Sequence, residues 1–440
     1  MRSRALLVLT SLLCGGAALG DAGLRQAAID ALAQGTANAR TQLFYGRYPE
    51  LPDVFEGTAE GKPITVKAKI EAYGVTRLGE TALRAYRCTG DAGCLSLARS
   101  CADLLVDVQT EHGGWGPGMS FTFSKPGQPP RLSTSRAGSG AFDDNSTQGP
   151  VTLLMEMAEE TKETRYREAV ERALALLLKA QFPNGAWTQY YPLIGGYSDH
   201  YTFNDSAIND CIRVMREAYD RYGDAKYLGS TERGGDFIIA SQRPAPQAGW
   251  AQQYSHDMKP AWARSYEPPS VCSAVTRNNI RTLMEVYLGT GKEKYLAPIP
   301  AAIEWLEASP IAPDTWARFY ELETNEPLYY DRGQKRVSDW SELSEERRTG
   351  YGYRGSFGVP ETIAAYRELK RIGRERTLRA RQRPMTAKAR RVAMKELELA
   401  VRQAIESQVP WGGWLTERTT EPRGFIEPAR RLCGYLELAG

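Results

Sequence analysis

Two acidic loop segments contain the residues of this 440-residue chain that are best suited to chemistry. Asp144 lies in the segment Phe-Asp-Asp-Asn at 142–145, and Asp205 lies in the segment Phe-Asn-Asp at 203–205. Each segment follows a Gln-x3-Gly-x-Trp motif and precedes a stretch in which apolar residues recur with helical spacing. Two carboxylates in one cleft can serve acid–base chemistry, so the repeat predicts a site as well as a fold.

An alignment of three repeats brings an arginine to the same place. When the helices that follow the segments are aligned on their apolar residues, Asp144, Asp205 and Ser273 occupy equivalent positions. Arg277 lies one helical turn beyond Ser273 and therefore on the same helix face. The alignment predicts that two carboxylates and an arginine converge at one end of neighbouring helices.

Both the aspartates and the tryptophans of the repeat also fit a purely structural role. An aspartate at the start of a helix often serves only as an N-cap, and this alternative applies to Asp144 and Asp205. Trp115, Trp187 and Trp414 end the three copies of the Gln-x3-Gly-x-Trp motif. These tryptophans can pack helices together or stack on a substrate, and their residue type fits both roles.

The elements that position these loops are predicted to be paired helices. The motif occurs at 109–115, 181–187 and 408–414, with a looser copy at 247–250. Repeats at this spacing indicate helical hairpins that share one core and gather their loops on one face. The apolar spacing predicts helices over 151–160, 165–181, 206–222 and 275–287, with Gly223 and Gly289 ending the last two.

We therefore predict an all-α fold, an (α/α)3 toroid-like helical repeat with a helical C-terminal tail. Its long loops, at 116–140, 192–202 and 243–270, are expected to form a cleft, because long ordered loops are usually functional. The predicted divisions are a signal peptide at 1–20, the toroid at 21–369, and a helical extension at 370–440 that packs on or continues the toroid.

The first 20 residues have the pattern of a signal peptide. Two arginines precede the apolar run at 5–13, and small residues follow it. The run is too short to span a membrane. We expect a periplasmic or secreted protein, monomeric, without a membrane span.

Charge and cysteine content add little about partners. The net charge of +3 is too small to indicate one, and the basic stretch at 370–391 is interpreted as a solvated helix face. The signal peptide argues against a nucleic-acid partner. Of the seven cysteines, Cys88, Cys94 and Cys101 are clustered, which predicts a local disulfide.

Five separated motifs give the chain a specific resemblance. They read Pro-Asn-Gly-Ala-Trp-Thr-Gln-Tyr-Tyr-Pro at 183–192, Gly-Tyr-Ser-Asp-His-Tyr-Thr-Phe-Asn-Asp at 196–205, Ala-Arg-Ser-Tyr-Glu-Pro-Pro-Ser at 263–270, Arg-Phe-Tyr-Glu-Leu-Glu-Thr-Asn at 318–325, and Glu-Glu-Arg-Arg-Thr-Gly-Tyr at 345–351. With them the chain resembles the pectate lyases of polysaccharide lyase family 10. The resemblance implies an (α/α)3 toroid that cleaves polygalacturonate by calcium-assisted anti-β-elimination, which gives 4,5-unsaturated oligogalacturonides.

The resemblance also implies a metal site and a base. It places Ca2+ on Asp144 and Asp205, and carboxylate oxygens are the ligands that calcium prefers. It makes an arginine the Brønsted base, for which Arg277 is our first candidate and Arg281 our second. Arginine is normally protonated, so we expect activity at alkaline pH.

Further residues are assigned to the substrate. Removal of the proton α to a uronate carboxylate places negative charge on that carboxylate, which guanidinium groups stabilise. The resemblance assigns this grip to Arg332 and Arg348. We also assign three other residues to substrate binding: Arg264, Trp187 and His200.

Two other functions remain open because the chain departs from the family pattern, for example by the extra acidic residue Asp143. One is a catalytically weakened uronate-binding protein of the cell envelope. The other is a glycoside hydrolase on an α toroid, with Asp144 and Asp205 as acid and base. Only elimination forms a conjugated double bond, so ultraviolet absorbance of the product distinguishes a lyase from both.

Overall fold

The structure, a computed structural model, describes residues 21–43, 64–71, 74–123, 131–134, 139–410, 412–414 and 423–440. The predicted signal peptide at 1–20 lies outside the described residues.

Helices make up most of the described chain. In chain order they are α1 (Asp21–Leu43), α2 (Val75–Thr89), α3 (Ala92–Asp107), α4 (Gln148–Thr161), α5 (Thr164–Ala180), α6 (Ala207–Tyr222), α7 (Ala225–Ala240), α8 (Ser273–Thr290), α9 (Ile299–Ala308), α10 (Glu345–Gly350), α11 (Val359–Ile372), α12 (Arg374–Gln382), α13 (Ala387–Glu406) and α14 (Arg423–Ala439). None of the described helices combines the length and the apolar composition needed to cross a membrane.

The helices are arranged in two layers around a ring. In the inner layer α14 packs on α2, α2 on α4, α4 on α6, α6 on α8 and α8 on α11. In the outer layer α3, α5, α7 and α9 each pack on the inner helix that precedes them. This arrangement confirms the predicted all-α helical toroid.

The C-terminal helices share the core of the repeats. Buried apolar side chains form one cluster that extends from Leu24 in α1 to Leu436 in α14. Because α14 contacts both α1 and α2, the end of the described chain packs against its beginning. The domain boundary at 369 stays a prediction.

Apolar spacing explains why these segments are helical and where they end. In α6 the residues Ile208, Cys211, Ile212 and Met215 recur every three or four positions and are buried. Gly223 ends α6 in the left-handed conformation, with φ 69°, as predicted. The predicted end of α8 at Gly289 is wrong, because α8 continues to Thr290 and the left-handed cap is Gly291, with φ 73°.

The Gln-x3-Gly-x-Trp motif fastens each hairpin to the next one. In the second repeat, Gln181 Nε2 donates to the carbonyls of Gly185 (3.1 Å) and Ser230 (3.0 Å), the latter in α7. Trp187 Nε1 donates to the carbonyl of Leu177 in α5 (2.9 Å). The equivalent indole bond recurs at Trp115, Trp250, Trp316 and Trp414. The packing role is therefore the one that the structure shows.

The looser copy of the motif, which ends at Trp250, uses a different glutamine from the predicted one. Gln242 Nε2 donates to the carbonyls of Ala248 and Pro298, both at 2.8 Å, as Gln181 does in the second repeat. The interval between Gln242 and Trp250 contains two more residues than in the other copies, so the spacing hid the match. The predicted Gln247 binds elsewhere, to the carbonyl of Glu321 (2.8 Å).

The strands are short and most of them connect loops. They are β1 (Ile64–Lys69), β2 (Gly118–Phe123), β3 (Arg131–Thr134), β4 (Gly140–Ala141), β5 (Tyr190–Tyr191), β6 (Tyr201–Thr202), β7 (Gln253–Tyr254), β8 (Val271–Cys272), β9 (Trp316–Ala317), β10 (Phe319–Tyr320), β11 (Pro327–Asp331), β12 (Lys335–Val337) and β13 (Arg354–Gly355). The antiparallel pairs β4–β5, β6–β7 and β8–β10 each join the loop of one repeat to the loop of the next. Strands β4, β6 and β8 therefore fix the chain just before the residues at 144, 205 and 273.

Cysteines do not pair as the sequence predicts. All six cysteines in the described part of the chain are free thiols. Cys94 and Cys101 are buried in α3, whereas Cys88 of α2 lies against Cys433 of α14, with its Sγ 3.9 Å from the Cys433 carbonyl oxygen. The predicted local disulfide is wrong, because clustering in sequence did not bring these three sulfur atoms together.

Candidate active site

Asp144 and Asp205 lie in two turns with the same backbone conformation. Asp144 has φ 48° and ψ 32°, and Asp205 has φ 46° and ψ 30°. The residues that follow them, Asn145 and Ser206, are also left-handed, with φ 59° and 62°. Few non-glycine residues adopt this conformation, so its repetition confirms that the two positions are equivalent. We refer to residues 142–145 and 203–206 as the first and second aspartate turns.

The third repeat keeps the helix register but lacks such a turn. Thr147 and Thr276, each three residues after an aligned position, bind the backbone N–H of Trp115 and of Trp250, both at 3.1 Å. Ser273, however, begins α8 directly after β8. Ser273 is therefore equivalent to Asp144 and Asp205 in the register of the helix that follows, but not in the backbone conformation that leads into that helix.

Neighbouring repeats hold the backbone of each aspartate turn. Phe142 and Phe203 are buried at the start of the turns. The N–H of Phe142 donates to the Gln189 carbonyl (2.8 Å), and the N–H of Phe203 donates to the Gln252 carbonyl (2.9 Å). Each turn is thus fixed by the repeat that follows it.

Two side chains from inner helices anchor the left-handed residues. Arg213 of α6 donates its Nη2 to Asn145 Oδ1 (3.2 Å) in the first turn. Asn278 of α8 donates its Nδ2 to Ser206 Oγ (3.2 Å) in the second turn. Strained backbone of this kind persists only where the surroundings impose it, and it occurs preferentially at functional sites.

The two turns bring three carboxylates together. Asp143, Asp144 and Asp205 each place one oxygen within 4.8 Å of the other two, and we call them the carboxylate cluster. Asp143 Oδ1 is buried and has no hydrogen-bond partner among the described residues. The sequence showed Asp143 only as a departure from a family pattern, whereas the structure makes it part of the site.

The cluster cannot easily carry three negative charges by itself. Burial raises the pKa of Asp143 to about 8, and the neighbouring charges of Asp205 and Asp144 act in the same direction. Burial also raises the pKa of Asp144 to about 6, followed by the charge of Asp205. Burial is the larger cause of both shifts, and a bound cation would remove the part that comes from repulsion between the carboxylates.

The aspartates do not act as helix caps. Helix α4 starts after Thr147 and α6 starts after Ser206, and no described side chain caps either helix. Asp205 Oδ2 instead accepts a hydrogen bond from Asn204 Nδ2 (2.7 Å). The capping alternative is therefore contradicted for both aspartates.

Arg264 is in direct contact with the carboxylate cluster. Its Nη2 lies 3.3 Å from Asp205 Oδ2, and its Nη1 lies 3.5 Å from Glu267 Oε1. Glu267 is buried and also accepts a hydrogen bond from the Tyr351 hydroxyl (2.8 Å). Burial opposes the charged guanidinium, but Glu267 and Asp205 outweigh it and raise the pKa of Arg264.

Arg318 is a site residue to which the sequence assigned no role. Its Nε donates to the Gly352 carbonyl (2.7 Å), and its guanidinium lies over the Tyr351 ring at 4.9 Å from the ring centre. Burial opposes its charge, yet Tyr351, Cys272 and Asp205 raise its pKa. The signal that could have identified it is its place at the head of the Arg-Phe-Tyr motif.

Arg277 is held by the main chain beside α11. Its Nε donates to the Phe357 carbonyl (2.5 Å) and its Nη1 donates to Asn278 Oδ1 (2.7 Å). Burial, followed by the charge of Arg281, lowers the pKa of Arg277. Arg281 itself is exposed. The structure thus brings Arg277 near the second turn through Asn278, and the catalytic roles of Arg277 and Arg281 stay predictions.

The two arginines assigned to uronate binding, Arg332 and Arg348, are bound to other parts of the protein. Arg332 is exposed, and its Nε and Nη2 bind the two carboxylate oxygens of Glu346 at 3.1 and 2.9 Å. Arg348 Nη1 donates to the Ser341 carbonyl (3.2 Å). The guanidinium of Arg332 must exchange Glu346 for a substrate carboxylate if it binds one.

The structure excludes a substrate contact for Trp187 and leaves one open for His200. Trp187 has no exposed surface and its indole N–H is bound to Leu177, so its assignment to substrate binding is wrong. His200 lies just before β6, and its Nδ1 is buried without a hydrogen-bond partner among the described residues. Its assignment to substrate binding stays a prediction.

The carboxylate cluster has the donor chemistry of a calcium site. Calcium prefers hard oxygen ligands, and the three aspartates supply carboxylate oxygens from two rigid turns. The unpartnered oxygen of Asp143 is the observation that a cation would explain, because buried polar atoms are rarely left unpaired. The residues present therefore fit the metal that the resemblance implies.

Comparisons with known proteins agree with this site. A sequence model of the pectic acid lyase family matches residues 109–313 and 308–360, more than half of the chain. No curated protein sequence matches this chain. The solved family 10 polysaccharide lyase from Cellvibrio cellulosa has a TM-score of 0.53 at 24% identity, over 67% of this chain and 98% of that chain. A mutant of that enzyme in complex with trigalacturonic acid has a TM-score of 0.51 with the same identity and coverage.

The helical toroid and the family match define a polysaccharide lyase. The likeness to the solved structures, at 24% identity, supports the fold. The sequence match supports more: the chain belongs to the pectic acid lyase family. The resemblance to polysaccharide lyase family 10 is thereby confirmed.

Proposed function

We propose that this protein cleaves polygalacturonate (pectate) by calcium-assisted anti-β-elimination. The observation that supports this most directly is the carboxylate cluster, with Arg264 3.3 Å from one of its members. In the proposed reaction a base takes the proton at C5, α to a uronate carboxylate. The electrons of that C–H bond form the C4=C5 double bond, and the glycosidic C4–O bond breaks as its oxygen takes a proton from water. The products are one saturated end and one 4,5-unsaturated end.

Asp143, Asp144 and Asp205 would hold the calcium ion. Bound there, calcium would neutralise the substrate carboxylate on which negative charge develops. The two left-handed turns keep the aspartates in place before the metal and substrate arrive, so no reorganisation is required at the moment of reaction. Glu267, 3.5 Å from the other terminal nitrogen of Arg264, helps to orient its guanidinium.

Three arginines are candidates for the base: Arg264, Arg277 and Arg281. Arg277, the candidate from sequence, has the lowered pKa that a base needs, but its Nε is bound to the Phe357 carbonyl. Arg264 contacts Asp205, where the substrate carboxylate would meet the metal. Its raised pKa is caused by carboxylates, including one that a cation would neutralise. Position is considered before pKa in choosing a base, so we place Arg264 ahead of Arg277 and Arg281.

The other arginines would bind uronate carboxylates along the substrate. Arg332 and Arg348 keep the role that the resemblance gives them, and Arg318 joins them because its charge lies near Asp205 and Glu267. A guanidinium fork matches a carboxylate in a way that lysine cannot. We keep His200 as a substrate contact. We also propose that the protein is monomeric and acts in the periplasm or outside the cell.

One assay tests the proposal. The chain from residue 21 onwards is incubated with polygalacturonate while ultraviolet absorbance is followed, first with EDTA and then with excess calcium. We expect the absorbance of a conjugated double bond to rise only with calcium. New reducing ends without this absorbance would identify a hydrolase, and binding of polygalacturonate without any cleavage would identify a uronate-binding protein.

A further inference from the structure

The strongest charge concentration of the described chain lies far from the carboxylate cluster. Residues 370–391, here called the basic segment, contain ten lysines and arginines and one acidic residue, Glu375. The whole chain has a net charge of only +3, so the remainder of the molecule is net acidic. The segment covers the end of α11, all of α12 and the start of α13.

More than half of these cations have no anionic partner. Arg371, Arg379 and Arg381 are paired with Glu368, Glu375 and Glu285. Six others are exposed and form no ion pair with the described residues: Lys370, Arg376, Arg383, Lys388, Arg390 and Arg391. Exposed like charges in such proximity repel each other, so some other benefit is needed to explain them.

Packing against the core explains little of the basic segment. Helix α12 has no fully buried residue and packs only the partly buried Leu378 against the core, and in α13 only Val401 and Ala404 are buried. A surface helix normally places an apolar stripe against the core. The side chains of α12 therefore contribute mainly to the surface of the protein and little to its core.

Contacts with α8 fix the orientation of the basic segment. Arg374 Nε donates to the Leu288 carbonyl (3.0 Å), and Arg381 binds both carboxylate oxygens of Glu285 (2.8 and 2.7 Å). These contacts are at the C-terminal end of α8, whereas the second aspartate turn lies near its N-terminal end. At 1.5 Å per residue, Ser273 and Leu288 are about 22 Å apart along the helix.

We propose that the basic segment is a second binding surface for the polyuronate chain, separate from the cleft. This proposal rests on the proposed function, because it takes the substrate of the cleft as its ligand. A demethylated polyuronate has one carboxylate on every ring, which suits a row of unpaired guanidinium and ammonium groups. One long chain can occupy both the cleft and the basic segment, whereas a trisaccharide is too short.

The expected benefit is retention on long substrates. A second contact on the same chain raises the effective concentration of substrate at the cleft without any change in the cleft itself. An anionic lipid surface is the main competing ligand, because Met385, Val392 and Leu399 are exposed beside the cations. We favour the polyuronate because it is already the proposed substrate of the cleft, and because α12, within the basic segment, exposes no large apolar side chain that could enter a lipid surface.

Charge-matched variants test the proposal. The patch variant replaces four unpaired cations of the basic segment: Arg376→Gln, Arg383→Gln, Lys388→Gln and Arg390→Gln. The control variant removes the same charge elsewhere on the surface: Lys162→Gln, Arg167→Gln, Lys226→Gln and Lys294→Gln. Binding to immobilised long polygalacturonate is measured in EDTA, so that no metal contributes, between about 50 and 200 mM salt.

We expect the patch variant to bind long polygalacturonate at least about tenfold more weakly at low salt, with a shallower salt dependence. The control variant should bind like the wild type, and kcat and KM on trigalacturonate should be unchanged in both. Equal binding by the patch variant and the wild type would overturn the proposal, as would tighter binding to phosphatidylglycerol vesicles. A wild type without lyase activity would instead contradict the proposed function.

Discussion

The two aspartate turns have the same backbone and different chemistry. Asp144 and Asp205 have φ values of 48° and 46°, and each follows a buried phenylalanine. The residue just before the aspartate is Asp143 in the first turn and Asn204 in the second. Asn204 donates a hydrogen bond to Asp205, whereas Asp143 adds a third carboxylate with an unpartnered oxygen.

This difference separates what builds the toroid from what acts in it. The Gln and Trp bonds recur in the repeats with or without an aspartate turn, for example at Trp187 and at Trp250. The third repeat enters α8 at Ser273 without a left-handed turn and contributes no carboxylate there. A change in a turn should therefore affect metal binding and activity far more than folding.

The largest effect is expected from the aspartates themselves. Asp144→Ala and Asp205→Ala should each reduce lyase activity at least about a thousandfold, because both remove a charged oxygen from the proposed metal site. The free energy of unfolding without calcium should fall by no more than about 1 kcal/mol, since neither residue caps a helix. Steady-state kinetics and urea unfolding measure the two effects.

Ser273→Ala is the matched control in the third repeat. The Ser273 hydroxyl donates to the Ala317 carbonyl (2.6 Å), so its loss should lower stability and leave calcium affinity unchanged. An aspartate variant that is unstable but normally active would show that the turns serve only the fold.

Sequence periodicity predicted the kind of scaffold and several of its helices, but it did not predict the turns. Apolar spacing located α6 and its end at Gly223, because a buried helix face and a left-handed cap leave local signals. The left-handed conformation at Asp144 and Asp205 has no such signal, because contacts with later repeats impose it. Asp143 and Arg318 both lie in motifs that the sequence analysis named, but only the folded chain shows how far they are buried and which residues they contact.

The second prediction concerns which arginine acts as the base beside the second turn. Arg264 contacts Asp205, whereas Arg277 contacts Phe357 and reaches the turn only through Asn278. Arg264→Lys should lower kcat at least about a hundredfold, the usual contribution of a general base, and Arg277→Lys should lower it less. The dependence of kcat on pH is the diagnostic measurement, because loss of the base should change the rise of kcat with increasing pH.

The opposite order of effects would restore Arg277 as the base. If both lysine variants keep wild-type kcat and its pH dependence, neither arginine is the base. Calcium affinity should remain within a few-fold in Arg277→Lys, which controls for damage to the cluster.

The third prediction concerns the anchor of the first turn. Arg213 binds Asn145 while Asp210 (3.0 Å) and Glu217 (2.9 Å) hold its guanidinium. Arg213→Gln should weaken calcium binding about tenfold, as is typical for residues that orient metal ligands. Calorimetric titration with calcium measures this directly. Arg221→Gln is the control, because Arg221 also connects α6 to α4, through Glu159 (3.0 Å), but does not contact a turn.

The smallest and most specific prediction makes the first turn resemble the second. Asp143→Asn removes the third carboxylate, and calcium should then bind several-fold more weakly. Its effect on stability without calcium depends on pH. The folded-state pKa of Asp143, about 8, lies above its ordinary value of 3.8, so the folded protein holds this proton more tightly than the unfolded chain does.

The stability that Asp143 contributes is therefore complete below about pH 4 and is lost as the pH rises through 8. Asp143→Asn cannot lose it, because an amide does not ionise. In EDTA the variant should melt at least about 2 °C above the wild type at pH 9 and show no such advantage at pH 4. A melting temperature that differs equally at both pH values would mean that folding does not raise the pKa of Asp143, so that at neutral pH the first turn carries one more negative charge than the second.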